Sequence, residues 1–277
     1  MPPIMTHHPS PPLKQLAELA LRAGAEVMSV YGKDFAASAK KDSTPVTEAD
    51  LRSERVILEG LARLDSATPV ISEEAAAAGS IPETADRFYL VDPLDGTKEF
   101  IGRNGEFTIN IALIEAGVPV MGVVFAPALE RMFIGEKSAG AAESTTSVGE
   151  MAWRPIEVRK KALPRLAVVA SRSHRDERTD AFLGRLGPHD LVSAGSSLKF
   201  CLLAAGEADL YPRFGRTMEW DTAAGHAVLL AAGGIVVTET GEVLTYGKTA
   251  RGYDNPAFIA ASGPKLLPFV NRMEASG

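Results

Sequence analysis

The fold of this chain is decided around the stretch Arg87-Phe88-Tyr89-Leu90-Val91-Asp92-Pro93-Leu94-Asp95-Gly96-Thr97-Lys98-Glu99-Phe100. Its first five residues predict a short buried strand, and Pro93 and Gly96 are expected to end that strand because they disfavour ladder pairing. Asp92 and Asp95 then lie at the strand's end. Because Mg²⁺ takes oxygen ligands from a few carboxylates, waters and phosphates, this spacing predicts a cation site.

The same turn also has a purely structural explanation. Asp-Gly is a common turn dipeptide, and Asp92 can simply cap the backbone near Thr97. In isolated turns this explanation is the more common one. The cation hypothesis therefore depends on whether acidic residues from elsewhere in the chain join the turn.

Length and composition predict a soluble globular protein. The chain has 277 residues, 45% of them hydrophobic, and a formal net charge of -6. This negative charge argues against nonspecific electrostatic binding of nucleic acid. No apolar run approaches the roughly 18 residues of a membrane span, and the Pro-rich start predicts a disordered tail over 1–12 rather than a signal peptide. The single cysteine, Cys201, excludes an intrachain disulfide, and its setting predicts core packing.

Hydrophobic periodicity predicts a chain in which helices and strands alternate. Helices are predicted at 13–31, 47–64, 176–186, 197–205 and 222–232, and strands at 70–74, 87–91, 107–114, 119–126, 132–134, 166–170, 235–237 and 258–260. The class is therefore α/β, with layered helices and sheets. The polar stretch 137–151 predicts the connection between two packed subdomains, 13–150 and 151–262, within one domain at 13–262, followed by a C-terminal segment at 263–277.

Acidic residues occur at the ends of predicted elements in four separate segments: Asp50, Glu73, the pair Asp92 and Asp95, and Asp221. Asp50 and Asp221 also have structural explanations, as a capping-box residue and as a helix N-cap. If the last four converge, each neighbouring pair repels by about 4 kcal/mol at 4 Å and an effective dielectric near 20. Several such pairs exceed the roughly 5–15 kcal/mol by which a domain is stable. Convergence therefore requires raised pKa values or bound cations, and Mg²⁺ would also activate water against a phosphate ester.

Two motifs carry a family resemblance: Val91-Asp92-Pro93-Leu94-Asp95-Gly96-Thr97 and Trp220-Asp221-Thr222-Ala223-Ala224-Gly225. Together they are similar to the paired signature of the inositol monophosphatase superfamily of metal-dependent sugar phosphatases. Segments 97–101, 103–108, 171–174, 195–201 and 211–215 resemble its 3'(2'),5'-bisphosphate nucleotidase branch. The resemblance runs over about 13–260, and it implies the superfamily's fold with layers in the order α-β-α-β-α.

The resemblance also implies the roles of individual residues. It implies that two or three Mg²⁺ ions are bound by Glu73, Asp92, the main-chain carbonyl of Leu94, Asp95 and Asp221. It implies that Thr97, paired with Asp50, orients and deprotonates the attacking water. The residues implied to contact the substrate are Glu73, Leu94, Asp95, Gly96, Thr97, His174, Ser196, Lys199, Arg213 and Asp221.

A second phosphate on the substrate needs ligands other than metal. Arginine grips a phosphate in a bidentate fork and lysine offers a point charge, which favours Arg213 and Lys199. The helix opened by 195–197 also offers N–H groups to an anion. Structural alternatives stay open: Ser196 or Ser197 as a helix cap, Arg213 as the partner of a surface carboxylate, and His174 as a structural histidine.

The activity implied by the resemblance is hydrolysis of the 3'-phosphate of adenosine 3',5'-bisphosphate to AMP and phosphate, the reaction of EC 3.1.3.7. The related 3'-phospho sulfate donor is a further substrate, the setting is sulfur assimilation and nucleotide recycling, and Li⁺ is an expected inhibitor. A cytoplasmic location is implied. Association with the inner face of the bacterial membrane and a homodimer are left open.

Two other functions compete with this one. An inositol or sugar monophosphate phosphatase shares the metal motifs but usually has Asn where this chain has Glu99. A non-catalytic metal-binding or regulatory module would keep the fold alone. The presence of Asp50, Thr97 and every implied metal ligand argues against that second alternative.

Overall fold

The computed structural model describes residues 9–33, 37–39, 45–83, 85–146, 151–160, 165–171 and 176–266. Its helices are α1 (Pro11–Tyr31), α2 (Glu48–Leu64), α3 (Glu73–Ala77), α4 (Thr97–Ile101), α5 (Glu177–Arg185), α6 (Leu198–Ala204) and α7 (Glu219–Ala231). Its strands are β1 (Ala37–Ala39), β2 (Pro45–Thr47), β3 (Val70–Ser72), β4 (Arg87–Asp95), β5 (Thr108–Glu115), β6 (Val118–Ala126), β7 (Arg131–Glu136), β8 (Gly140–Thr145), β9 (Arg154–Ile156), β10 (Leu166–Ser171), β11 (His189–Ala194), β12 (Leu210–Arg213), β13 (Ile235–Thr238) and β14 (Phe258–Ala261). Short 3-10 turns lie at Pro127–Leu129, Thr249–Arg251 and Pro264–Leu266.

The strands form two large sheets. The first has seven strands in the order β3-β4-β5-β6-β7-β8-β9, and from β4 onward it is an antiparallel meander. The second has five strands in the order β11-β10-β12-β14-β13, with β10 parallel to both of its neighbours. Strands β1 and β2 form a separate antiparallel pair.

Helices and sheets alternate in five layers. Helices α1 and α2 pack on one face of the first sheet, and α6 and α7 fill the space between the two sheets. Helix α5 covers the outer face of the second sheet, where Phe182 and Leu183 contact Val168, Leu210 and Ile259. The predicted α/β class and the α-β-α-β-α layer order are confirmed.

The first sheet is buried on both faces, which explains its nearly continuous apolar strands. In β5, Ile109 and Ile111 face α1, whereas Ala112 and Ile114 face α7, as the two-residue period of a strand requires. Helix α7 lies very close to β6. A side chain at Gly122 would clash with the main-chain oxygen of α7 that faces it, so only glycine fits there.

The first two helices begin at clear capping signals. Helix α1 begins at Pro11 behind Ser10, whose side chain accepts a hydrogen bond from a first-turn amide. The tail predicted at 1–12 is therefore too long, because proline is well tolerated in the first helical turn. Residues 1–8 lie outside the described residues. Helix α2 follows the predicted capping box, with Thr47 as N-cap.

Three element boundaries beside the acidic residues differ from the sequence prediction. Strand β4 continues through Pro93 to Asp95, and β3 ends at Ser72, so Glu73 opens α3 instead of ending a strand. Helix α7 begins at Glu219, which places Asp221 inside its first turn rather than at the predicted N-cap. Strand β4 is longer than predicted because Asp92 and Asp95 still have partners in β5.

The predicted connection at 137–151 contains a strand. Strand β8 pairs with β7, and β9 follows at Arg154–Ile156 in the same sheet. Small residues are compatible with a strand when both of its neighbours supply ladder partners. The division at residue 150 and the segment 263–277, of which 267–277 lies outside the described residues, stay predictions.

Two remaining expectations concern burial and hydropathy. Cys201 is buried in the layer between the sheets, as predicted, and burial raises the pKa of its thiol well above the ordinary value. Within the described ranges, no helix combines the length and the apolar character needed to cross a membrane.

Candidate active site

The turn after β4 is shaped by a bulge at its end. Asp92 pairs with Asn110 and Asp95 with Thr108, and the register shifts between these two pairs. Pro93 lies within the shift, where a missing N–H costs no ladder bond. The Leu94 amide donates to Asp92 Oδ1 at 3.0 Å. This local geometry turns the main chain so that both carboxylates border one cleft.

Gly96 lets a second loop approach the turn. Its φ of 89° and ψ of 45° are left-handed, a conformation that favours glycine. A Cβ at this position would also clash with Ser196 Oγ, which comes from the loop before α6. The glycine therefore serves both the backbone conformation and the contact between the two halves of the chain.

Three carboxylates from distant segments converge beside this turn. Glu73 at the start of α3, Asp92 in β4 and Asp221 in α7 each offer an oxygen, and these oxygens all lie within 4.8 Å of one another. Asp221 Oδ2 also accepts the Met218 amide at 2.8 Å, so the N-terminus of α7 fixes its position. The structure thus brings together three of the residues that the sequence singles out as metal ligands.

Asp95 lines the same cleft but is held differently. Its Oδ2 accepts the Ser197 amide at 2.7 Å and lies 3.4 Å from Asn110 Nδ2 and 3.5 Å from Thr108 Oγ1. In all the hydrogen bonds described for this carboxylate, Oδ2 is the acceptor. Oδ1 is therefore the oxygen that Asp95 can offer to a ligand.

The acidic cluster consists of Glu73, Asp92, Asp95 and Asp221, and the pKa values of the two aspartates Asp95 and Asp221 are shifted. Burial raises the pKa of Asp221 well above the usual carboxyl value, and the charges of Asp95 and Glu73 raise it further. Burial also raises the pKa of Asp95, assisted by Glu99 and opposed by Lys199. A bound divalent cation would oppose both shifts, because it favours the charged form of each carboxylate. A set of hard oxygen donors this close together fits Mg²⁺.

Asp50 performs a capping role and also reaches the cleft. Its Oδ2 accepts the amide and the hydroxyl of Thr47 at 2.8 and 2.7 Å, which completes the capping box of α2. Its Oδ1 lies 3.4 Å from Thr97 Oγ1. The two explanations offered by the sequence are therefore compatible, because each uses a different oxygen of one buried carboxylate.

A basic pair, Lys199 and Arg213, borders the cleft from the second half of the chain. Both are buried, and Lys199 Nζ lies 5.5 Å from the centre of the Tyr211 ring. Burial lowers the pKa of Lys199 to about 8, although Asp95 opposes the shift. Arg213 Nη2 donates to the Arg216 carbonyl at 3.0 Å, which directs the guanidinium. Arg213 is thus an interior residue of the cleft and does not lie at the surface.

Two of the three amides before α6 donate to the chain's own carboxylates. The Gly195 amide donates to Glu106 Oε2 at 2.8 Å, and the Ser197 amide donates to Asp95. The Ser196 hydroxyl lies 2.7 Å from the Glu106 carbonyl and 2.9 Å from that of Asp95. The chain's own oxygens therefore accept from two of the three predicted anion-binding amides and from the Ser196 hydroxyl. His174 lies outside the described residues.

The acidic cluster and the basic pair share one cleft of about 550 Å³. Among the described residues, every predicted metal and substrate residue lines this cleft, and Asp50 lies behind Thr97: Glu73, Asp92, Leu94, Asp95, Gly96, Thr97, Ser196, Lys199, Arg213 and Asp221. Tyr211, Arg216 and Trp220 line the cleft too and were not among the predicted site residues. Each is within three positions of a predicted residue, and that proximity is the signal that could have found them.

The curated relatives include close matches over most of the chain. CysQ of Salmonella typhimurium, named a 3'(2'),5'-bisphosphate nucleotidase, is 49% identical over 249 residues, which cover 89% of this chain and 98% of the relative. The protein of the same name from Escherichia coli K12 is 47% identical over 249 residues, with the same coverage of both chains.

Solved structures and a family model agree with these matches. The crystal structure of CysQ from Bacteroides thetaiotaomicron has a TM-score of 0.75 at 37% identity and covers 90% of this chain and 96% of that one. The Thermotoga maritima IMPase has a TM-score of 0.77 at 26% identity, covering 96% and 99%. The model of the inositol monophosphatase family matches residues 9–271. This chain belongs to the inositol monophosphatase family.

Proposed function

We propose that this protein is a Mg²⁺-dependent phosphatase that hydrolyses the 3'-phosphate of adenosine 3',5'-bisphosphate to give AMP and phosphate. The observation that carries the proposal is the shared cleft, in which an acidic cluster suited to cations lies beside the buried Lys199 and Arg213. A substrate with two phosphates uses both parts of such a cleft. The nucleotidase names of relatives at 47–49% identity support this choice over an inositol or sugar monophosphate.

The carboxylates of Glu73, Asp92, Asp95 and Asp221, with the main-chain carbonyl of Leu94, would hold two or three Mg²⁺ ions. When bound, Mg²⁺ neutralises the cluster, lowers the pKa of water and stabilises charge on the phosphate oxygens. The cleft has the oxygen donors for this, because Leu94 and all four carboxylates line it. In the substrate complex, these residues also place the 3'-phosphate beside Thr97.

Thr97 and Asp50 handle the proton of the attacking water. Asp50 accepts from Thr97 Oγ1 through Oδ1, while its Oδ2 is fixed by Thr47. The threonine oxygen can then accept a proton from water and orient the water toward phosphorus. The new bond joins the water oxygen to phosphorus, and the bond from phosphorus to the ribose 3'-oxygen breaks. That oxygen leaves with AMP and takes a proton from solvent.

The basic pair binds the 5'-phosphate. The Arg213 guanidinium offers a fork of N–H donors and the Lys199 ammonium adds a point charge, and both groups are desolvated, which strengthens a charge-assisted bond. The related donor that carries sulfate on the 5'-phosphate keeps the same phosphate for this pair. We therefore expect it to be a second substrate of the same site.

The test is a substrate panel with and without Mg²⁺. We expect adenosine 3',5'-bisphosphate to have a higher kcat/KM than inositol monophosphate or fructose 1,6-bisphosphate, activity to require Mg²⁺, and millimolar Li⁺ to inhibit. A higher kcat/KM for either sugar phosphate would refute the nucleotidase assignment. Turnover that is equally fast after removal of divalent cations would refute the role of the acidic cluster.

Three further expectations stay predictions. They are a homodimer, a cytoplasmic location and an association with the inner face of the bacterial membrane. All three are expectations from the family resemblance. Sedimentation of the purified chain and fractionation of cells that express it would test them.

A further inference from the structure

Ser197 lies at the point where the two halves of the chain meet in the cleft. It is 1% exposed and immediately precedes α6. Its amide donates to Asp95 Oδ2 at 2.7 Å, and its Oγ lies 2.6 Å from the main-chain oxygen of Asp221. One serine therefore contacts two acidic residues of the cluster, one beside the first sheet and one in α7.

Asn110 fixes the orientation of this serine. Its Nδ2 donates to Ser197 Oγ at 2.9 Å and lies 3.4 Å from Asp95 Oδ2. The hydroxyl has one hydrogen, and the nearest acceptor is the Asp221 carbonyl; Asp95 Oδ2 is farther from Oγ, at 3.2 Å. The hydroxyl thus donates to Asp221 and accepts from Asn110, so it is committed to the protein and is not a ligand itself.

We propose that Ser197 is a positioning residue that sets the separation between Asp95 and Asp221 and thereby the affinity of the cluster for Mg²⁺. Asp95 belongs to β4 and Asp221 to α7, so without a bridge their separation depends on the packing of two layers. The bridge through Ser197 joins them by two short hydrogen bonds. This inference rests on the Mg²⁺ site of the proposed function, and it is independent of which phosphate ester is the substrate.

The expected consequence of losing the hydroxyl follows from the contacts. In Ser197→Ala the amide bond to Asp95 persists, but the Asp221 carbonyl and the Asn110 amide lose a buried partner. Residues that orient metal ligands typically change metal affinity or activity by about 10- to 100-fold. Because one of the two bonds survives here, we expect the dissociation constant for Mg²⁺ to rise about tenfold.

The experiment is a calorimetric titration of the substrate-free protein with Mg²⁺. Ser144→Ala is the matched control, because Ser144 is also buried and its hydroxyl donates to a neighbouring carbonyl in β8, away from the cleft. We expect weaker Mg²⁺ binding in Ser197→Ala and an unchanged affinity in Ser144→Ala. At high Mg²⁺, Ser197→Ala should recover most of the kcat of the parent protein. Circular dichroism checks that both variants are folded.

Unchanged Mg²⁺ affinity in Ser197→Ala would overturn the inference, and so would an equal loss in Ser144→Ala or the absence of Mg²⁺ binding in the parent protein. If Ser197→Ala does not fold, Asn110→Ala tests the same bridge. It removes the donor that orients the hydroxyl, so its Mg²⁺ affinity should also fall, and an unchanged affinity would refute the proposal. A failed substrate panel would leave this titration unaffected, which separates the two hypotheses.

Discussion

The acidic cluster and the basic pair of the cleft are built by different means. Main-chain geometry positions the acidic residues: a strand bulge for Asp92 and Asp95, and the first turn of α7 for Asp221. Lys199 and Arg213 instead reach the cleft through long side chains, which are oriented by the Tyr211 ring and by a hydrogen bond to the Arg216 carbonyl. Rigid main chain suits the precise separations that a cation requires, whereas side chains can adapt to a substrate.

This difference indicates where substrate choice resides. The T. maritima IMPase has the same fold at 26% identity, so the fold alone does not select the phosphate ester. In the proposed function, the acidic cluster takes part in hydrolysis of the phosphate ester bond, a step that is the same for all phosphate esters. The basic pair recognises what distinguishes a nucleotide with two phosphates. Four predictions test this division of labour.

The largest effect is expected for Asp92→Asn, which removes one charge from the acidic cluster. Asparagine keeps the oxygen that accepts the Leu94 amide, so the turn should persist. Loss of an electrostatic stabiliser of this kind costs about 100- to 1,000-fold in kcat. Steady-state kinetics with saturating Mg²⁺ measure the loss, and circular dichroism checks the fold. Wild-type activity at saturating Mg²⁺ would show that Asp92 is not a ligand.

A smaller effect is expected for Thr97→Val, which removes the hydroxyl beside Asp50 but leaves the carboxylates intact. General-base catalysis contributes at least about 100-fold, so kcat should fall by that amount while Mg²⁺ affinity stays unchanged. Thr97→Ser keeps the hydroxyl and should retain most of the activity. Equal losses in the valine and serine variants would indicate that Thr97 acts through packing.

Arg213→Lys should separate the basic pair from the acidic cluster. Lysine keeps the charge but loses the fork of donors. KM for adenosine 3',5'-bisphosphate should therefore rise about tenfold, which corresponds to the lower end of the free energy of a charge-assisted hydrogen bond. The matched substrate is adenosine 3'-monophosphate, which lacks the 5'-phosphate and should show little change in KM. A similar rise for both nucleotides would place Arg213 at the reacting phosphate.

The smallest effect concerns the pH dependence of KM. Burial lowers the pKa of Lys199 to about 8, so the ammonium is charged below that pH and becomes neutral as the pH rises through it. KM for the bisphosphate should therefore increase several-fold between about pH 7 and pH 9. In Lys199→Arg the charge persists across this range and the increase should disappear. A pH profile that is identical in both proteins would contradict the role of Lys199.

Much of the fold could be predicted from the sequence because its signals are local. The capping box at Thr47 and the apolar period of α1 are set by near neighbours, and the structure contains both. The prediction failed where local signals have two outcomes. Pro93 can end a strand or occupy a bulge, and small residues at 140–145 suit a loop as well as a strand. Pairing with a distant strand decides between them.

The sequence by itself determined which residue types could hold cations and phosphates, because Asp-x-x-Asp-Gly-Thr and Trp-Asp place oxygens at the ends of elements. Only the tertiary structure decided how each group is used. Asp95 accepts the amide of Ser197, a residue 102 positions away, so this amide serves the protein and not an anion. The reason is physical: a carboxylate or an amide can satisfy many partners equally well, and only packing determines which partner lies within 3 Å.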